Sequence, residues 1–152
     1  MTTTTPLLLI TADPSHPLAH LALRYARTYL ANTDTNNNDT NNNDKTDSSD
    51  NNKNVPAPLH VFFYADAANT ANRLRWQSAD QMNITQEWQK LAEQYQLTLP
   101  VCVSTALSRG ISDSENSTRH QLDSENLAAS FKLVGLSDLA MMMQGNCRLL
   151  QF

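Results

Sequence analysis

Cys102 lies near the end of an apolar run, LTLPVCV, and just before Ser104 to Arg109, which reads as a short helical turn stopped by Gly110 in the left-handed conformation. In that position unpaired backbone N–H groups and the helix dipole stabilise a negative sulfur, which is what a thiol needs to act as a nucleophile. The residue reads equally as a small buried apolar side chain, the usual fate of a free cysteine. Position alone leaves both open. Arg109 follows Cys102 by seven residues. A phosphatase-type loop needs five residues between cysteine and arginine, and that spacing falls on Ser108, so phosphate chemistry is disfavoured. Arg109 then reads as a solvated helix end or as a local source of positive potential. Cys147 opens the terminal segment CRLLQF with no helix after it and reads as structural.

Other candidates are weaker. His16 and His20 are four apart, so on a helix both would face one side as a metal pair requires, but His16 precedes Pro17 in a loop and no third ligand follows. His60 falls in a strand pattern and His120 in a polar loop, each without an evident partner. With three glycines in the chain there is no Gly-rich phosphate cradle. Trp88 and Met141 to Met143 sit in helical patterns and read as core or subunit-contact residues.

These residues need a scaffold, and the hydrophobic pattern supplies one. Leu7 to Ile10 form a short continuous apolar run between Pro6 and the Asp13-Pro14 turn signal, as in a strand buried on both faces. Leu18, Leu21, Ala22, Tyr25, Ala26 and Tyr29 recur at helical spacing, with Pro17 in the first turn. Leu59 to Tyr64 reads as a second strand, and Ile84 to Tyr95 as an amphipathic helix capped by Asn83 or Thr85. Leu97 to Val103 is a third strand, although Pro100 belongs at an edge, an end or a bulge. Ile111 to Ser124 reads as loop, Glu125 to Phe131 and Ser137 to Met143 as short helices, and Cys147 to Phe152 as a last strand. This alternation is that of an α/β fold with a parallel sheet between helical layers, where loops after the strands collect at one edge and carry the chemistry. Those loops are Ala12 to Pro17, Asp66 to Asn72 and Cys102 to Ser104.

The 152 residues make one domain. Residues Asn32 to Asn54 contain ten Asn, five Asp, four Thr, two Ser and two Lys and no apolar side chain, so this segment (32–54) reads as a disordered insertion between the first helix and the second strand. Outside it nine basic groups face ten acidic ones, although the whole chain carries a net charge of −4. A body so nearly neutral excludes a binder whose affinity rests on neutralising phosphates, so no direct nucleic-acid contact is expected. Two cysteines do not make a disulfide framework, which points to a reducing compartment. The N-terminal residues hold only four consecutive apolar side chains and no basic n-region, so the expectation is a cytoplasmic protein without a membrane span.

The segments VFFYADAANTANRL, QEWQKLAEQY, LPVCVSTALSRGI, SENLAASFKLVGLSDLA and CRLLQF together resemble the DsrE-like sulfur-transfer proteins, most closely the TusD-like subunits of the TusBCD sulfur relay. The resemblance runs from about Val61 to Phe152. It implies a three-layer α/β/α sandwich around a mainly parallel sheet of about four to five strands, with Cys102 as the sulfur-carrying catalytic cysteine. It further implies a heterohexamer with TusB-like and TusC-like subunits, a TusA-like sulfur donor and a TusE-like acceptor. The end product would be 2-thiouridine at the tRNA wobble position, and no cofactor or metal would be required. Within the same resemblance stand two alternatives, a scaffold subunit that transfers no sulfur and a DsrE-type sulfur-oxidation relay protein. The chain departs from the family in its first loop, ADPSHP, which lacks the usual glycine and aromatic residue, in Ala67 where relatives often carry glycine, and in the Asn-rich insertion.

Overall fold

The computed structural model describes residues 4–38 and 58–152. In chain order these form β1 (Thr5–Ile10), α1 (Pro17–Asn38), β2 (His60–Phe63), a 3₁₀ segment (Ala65–Ala71), α2 (Ile84–Tyr95), β3 (Leu99–Cys102), α3 (Val103–Leu107), α4 (Ser114–Arg119), β4 (Phe131–Val134), α5 (Leu136–Met143) and β5 (Cys147–Gln151). The strands lie in the order β4-β3-β2-β1-β5, every pair parallel, so the expected α/β/α sandwich has a five-stranded sheet at its centre.

Strand period two divides the core between the faces. Leu8, Ile10, Val61, Phe63, Leu99 and Val101 join the large cluster under α1 and α2. There Phe63 meets both Trp88 and Phe131 edge-on, each at 5.4 Å between ring centres. Leu7, Phe62 and Cys102 form a smaller cluster on the other face, against which Leu139 and Met142 of α5 pack. Asn83 caps α2 as expected, its side chain accepting from the Gln86 N–H at 3.2 Å.

Helix α1 differs from its expected form in two ways. Its buried seam is Ala19, Ala22, Leu23, Ala26 and Leu30, while Leu18 and Leu21 are exposed. Alanines let the helix approach the sheet closely, and the tyrosines stay half-buried with Tyr25 against Phe152, keeping their hydroxyls near water. The helix also runs seven residues past Ala31, to Asn38, instead of ending where the Asn-rich tract begins. The Thr33 hydroxyl donates to the Tyr29 carbonyl, and Asp34 hydrogen-bonds Tyr95 of α2, which offsets the weak helix propensity of this stretch. The rest of the expected disordered segment, from residue 39 to Asn54, lies outside the described residues.

Three further expectations change. Pro100 stands inside an interior strand, second in β3; β2 and β3 pair at Phe63 and Val101, beyond the proline's missing N–H. The polar stretch after Ile111 contains α4, capped by Asp113, whose carboxylate accepts from the Asn116 N–H at 2.8 Å. Hydrogen bonds hold this helix, with Ser117 donating to the Ser112 hydroxyl and the Ser124 carbonyl, so no apolar period announces it. Glu125 to Phe131 is not a helix. Its Asn126 side chain accepts from the Ser112 N–H and donates to Asn72 and to the Gly110 carbonyl, and Leu127 bridges Asn72, which holds the segment extended before β4.

Candidate functional site

Parallel order brings the C-terminal ends of all five strands to one edge, and hydrogen bonds tie the loops there into one rim. Asp13, after β1, accepts at Oδ2 from Asn69 Nδ2 at 3.1 Å. Its Oδ1 accepts from the Ser15 backbone N–H at 2.9 Å and from the Ser15 hydroxyl. Burial pushes this carboxyl up, but the bonds from Ser15 and Asn69 and the charge of Arg75 outweigh it and hold the carboxyl below its ordinary value. Asp66, after β2, is reached by Arg109 from beyond α3, with Nη2 at 2.7 Å and Nε at 3.2 Å from the same Oδ1. The turn into the 3₁₀ segment puts Ala65, at φ 53, in the left-handed region. Ala67 is buried in that segment and has no positive φ.

Cys102 is the last residue of β3 and directly precedes α3. Its carbonyl accepts the Thr105 hydroxyl at 3.2 Å, and Arg109 Nη1 reaches the Thr105 carbonyl at 3.1 Å. Arg109 therefore stabilises the turn that begins at Cys102, while its charge is matched by Asp66. The helix starts at Val103, leaving no open loop between Cys102 and Ser108 to wrap a phosphate. The thiol faces away from α1 and α2, clusters with Leu7 and Phe62, and is 1% exposed. Cys147 is half-buried and pairs in register with Thr5, at the opposite edge of the sheet, and both cysteines are free.

The histidines separate. His16 lies outside α1, and its Nδ1 accepts the Leu18 N–H at 3.1 Å, so it caps the helix. His20 lies on α1 and lines a polar hollow of about 290 Å³ with Arg75 and Gln77. Among the described residues no three His, Cys, Asp or Glu side chains come together as a metal site, and no helix is long and apolar enough to cross a membrane.

Sequence reasoning placed Cys102 and Arg109 but missed Asp66, Asn69 and Asn126, the side chains that bind the rim together. Their partners lie 43, 56 and 54 residues away in the chain, and no short-range pattern reports such contacts.

Comparison with known proteins agrees with this architecture. The DsrE/DsrF-like family matches residues 7–152. The sulfurtransferase TusD of Sodalis glossinidius (strain morsitans) is 38% identical over 92 residues, 60% of this chain and 71% of that protein. The TusD of Erwinia tasmaniensis is 39% identical over 92 residues, 60% of this chain and 72% of that one. In fold, the chain is similar to the crystal structure of the ychN protein from E. coli, with a TM-score of 0.64 at 15% identity, over 99% of this chain and 100% of that one. A rim of loops at one edge of a parallel sheet, a cysteine at the end of one of its interior strands, and relatives of this kind lead to one conclusion: the chain belongs to the DsrE/DsrF-like family, as a TusD-like sulfurtransferase.

Proposed function

We propose that Cys102 is the sulfur-carrying residue and that the chain relays persulfide sulfur from a TusA-like donor to a TusE-like acceptor, toward 2-thiouridine at the tRNA wobble position. The observation that carries this reading is the place of Cys102, at the C-terminal end of an interior strand, within the rim that Asp66 and Arg109 close, and directly before α3. The thiolate of Cys102 attacks the terminal sulfur of the donor's perthiol. A bond forms between that sulfur and Sγ, the donor's S–S bond breaks, and the donor leaves as a thiolate. The acceptor's thiolate then takes the same sulfur, returning Cys102 as a thiolate. No net oxidation occurs in either step, and neither needs a cofactor.

In this reading the chain works in the cytoplasm within a heterohexamer containing TusB-like and TusC-like subunits. Its near-neutral body suits contact with proteins instead of tRNA. The test is transfer of radiolabelled sulfur from a persulfide-loaded TusA-like protein to a TusE-like protein through the assembled complex. Cys102→Ser should abolish transfer with assembly intact, whereas Cys147→Ser should leave it. A Cys102→Ser complex that still transfers sulfur would overturn the assignment. The burial of Cys102 favours a second reading, a scaffold subunit in which the thiol is only a core residue, and that reading expects Cys102→Ser to change nothing.

A further inference from the structure

Sulfur transfer is a displacement in which the attacking sulfur must lie on the line of the donor's S–S bond, so its rate depends steeply on how the thiol is held. Cysteine has one side-chain torsion, with three staggered settings. Once the backbone of Cys102 is fixed, Sγ has only those three places to stand, and packing against Leu7 and Phe62 narrows them further. What holds that backbone therefore aims the sulfur.

On the N-terminal side of Cys102 the hold is the sheet, because the residue closes β3 in parallel register with Val134 of β4. The strand ends there. At φ −59 and ψ 119 the chain turns out of β3 and enters α3 at Val103. Helix α3 is five residues long and buries only Ala106, so it brings little stiffness of its own to the turn. On this side the Cys102 carbonyl accepts the Thr105 hydroxyl at 3.2 Å.

A hydroxyl reaching three residues back is a common turn device and by itself assigns nothing. Thr105, however, is held in its turn. Its carbonyl accepts Arg109 Nη1 at 3.1 Å and the Ser108 hydroxyl at 3.1 Å, and Nη1 also lies 3.2 Å from Ser108 Oγ. The other two guanidinium nitrogens, Nη2 and Nε, both donate to Asp66 Oδ1 at 2.7 and 3.2 Å. All three nitrogens of Arg109 are thus engaged. Contacts run without a break from Asp66, in the loop after β2, through Arg109 and Thr105 to the carbonyl of Cys102, at the end of the neighbouring strand. A lysine could not replace this arginine, since one ammonium cannot span the carboxylate and the carbonyl in a fixed fork.

We infer that Asp66, Arg109 and Thr105 form a brace that aims the Cys102 sulfur for in-line attack. They are positioning residues, acting through the backbone of Cys102 and touching no reacting atom. The anchor pair is partly exposed, with Arg109 at 29% and Asp66 at 63%, so the brace adds little to the stability of the whole domain and its effect is local. This inference rests on the relay reading above.

The experiment measures single-turnover loading of Cys102 from a persulfide-loaded TusA-like protein, over a range of donor concentrations. It uses the full chain in its assembled complex, with Cys147→Ser in every variant and far below the urea midpoint of each. Thr105→Val keeps the shape of the side chain and removes its hydroxyl. The saturating rate is expected to fall by about tenfold or more while the half-saturating donor concentration stays the same. Thr105→Ser, which keeps the hydroxyl, is expected to restore most of the rate. Arg109→Lys should slow the saturating rate in the parent and add little in the Thr105→Val background, because both changes break one chain of contacts. An unchanged rate in Thr105→Val, an equal loss in Thr105→Ser, a change confined to the half-saturating concentration, or fully additive effects of Arg109→Lys and Thr105→Val would each overturn the brace. Failure of the donor to load Cys102 in the parent complex would instead remove the relay reading, and the inference with it.

Discussion

Arg109 and Asp66 close the rim beside Cys102 by a forked contact, two guanidinium nitrogens on one carboxylate oxygen at 2.7 and 3.2 Å. The pair joins the loop after β2 to the turn after β3. Asp66 is 63% exposed, so water screens the attraction and its contribution to stability is small. Asp66→Asn is expected to lower the urea unfolding free energy by under about 1 kcal/mol. A double-mutant cycle with Arg109→Lys measures the coupling, and a value of several kcal/mol would show the pair to be structural at the level of the whole domain.

Asn126 is the more costly member of the rim. Its side chain makes three hydrogen bonds, to the Ser112 N–H, the Asn72 side chain and the Gly110 carbonyl. Asn126→Ala strands all three partners, and the expected loss is about 2–3 kcal/mol, read from the urea midpoint at unchanged slope. Asn126→Asp keeps the acceptor for Ser112 and loses both donors, so it should fall between the parent and Ala.

Helix α2 reports on capping. Asn83→Ala removes the acceptor for the Gln86 N–H and should cost about 1 kcal/mol in thermal or urea unfolding. A loss near zero would mean that water replaces the cap without penalty.

The acid limb of stability should carry a signature of Asp13. Its carboxyl is held below the ordinary value of 3.8, so the contribution is fully present above that value and is lost as pH falls through the lower folded value. The stability gap between the parent and Asp13→Asn is therefore expected to narrow on acidification below about pH 4. Tyr95 behaves oppositely, because burial and Asp34 push its phenol above 10.0. Its contribution is complete below that value and fades as pH rises through the folded one, so the gap to Tyr95→Phe should narrow in alkali. Urea midpoints across pH measure both, and a gap that widens at either extreme would contradict the assigned signs.

The order of elements was legible in the sequence where burial enforces a period. Continuous runs such as Leu7 to Ile10 mark strands covered on both faces, and Ile84, Trp88 and Leu91 mark the inward stripe of α2. Legibility failed where hydrogen bonds replace burial. Capping and side-chain bonds build α4 with no apolar stripe, and Asn126 holds extended a segment whose composition suits a helix. The face of α1 was legible at Ala22, Tyr25, Ala26 and Tyr29, which are buried or packed on the core, and misread at Leu18 and Leu21, which are exposed while Ala19, Leu23 and Leu30 complete the buried seam. At the candidate site, Cys102 was visible from its place between strand and helix. Its packing against Leu139 and Met142 was not, because α5 comes to that face through the crossover from β4 to β5.

The most direct test of the central claim is peptide mass spectrometry on the chain after incubation with a persulfide-loaded TusA-like donor, scoring one added sulfur at each cysteine. The account predicts a reductant-labile adduct of one sulfur on Cys102, none on Cys147, and none in Cys102→Ser. An adduct on Cys147 instead, or an unmodified Cys102 with a donor that loads other acceptors, would contradict it.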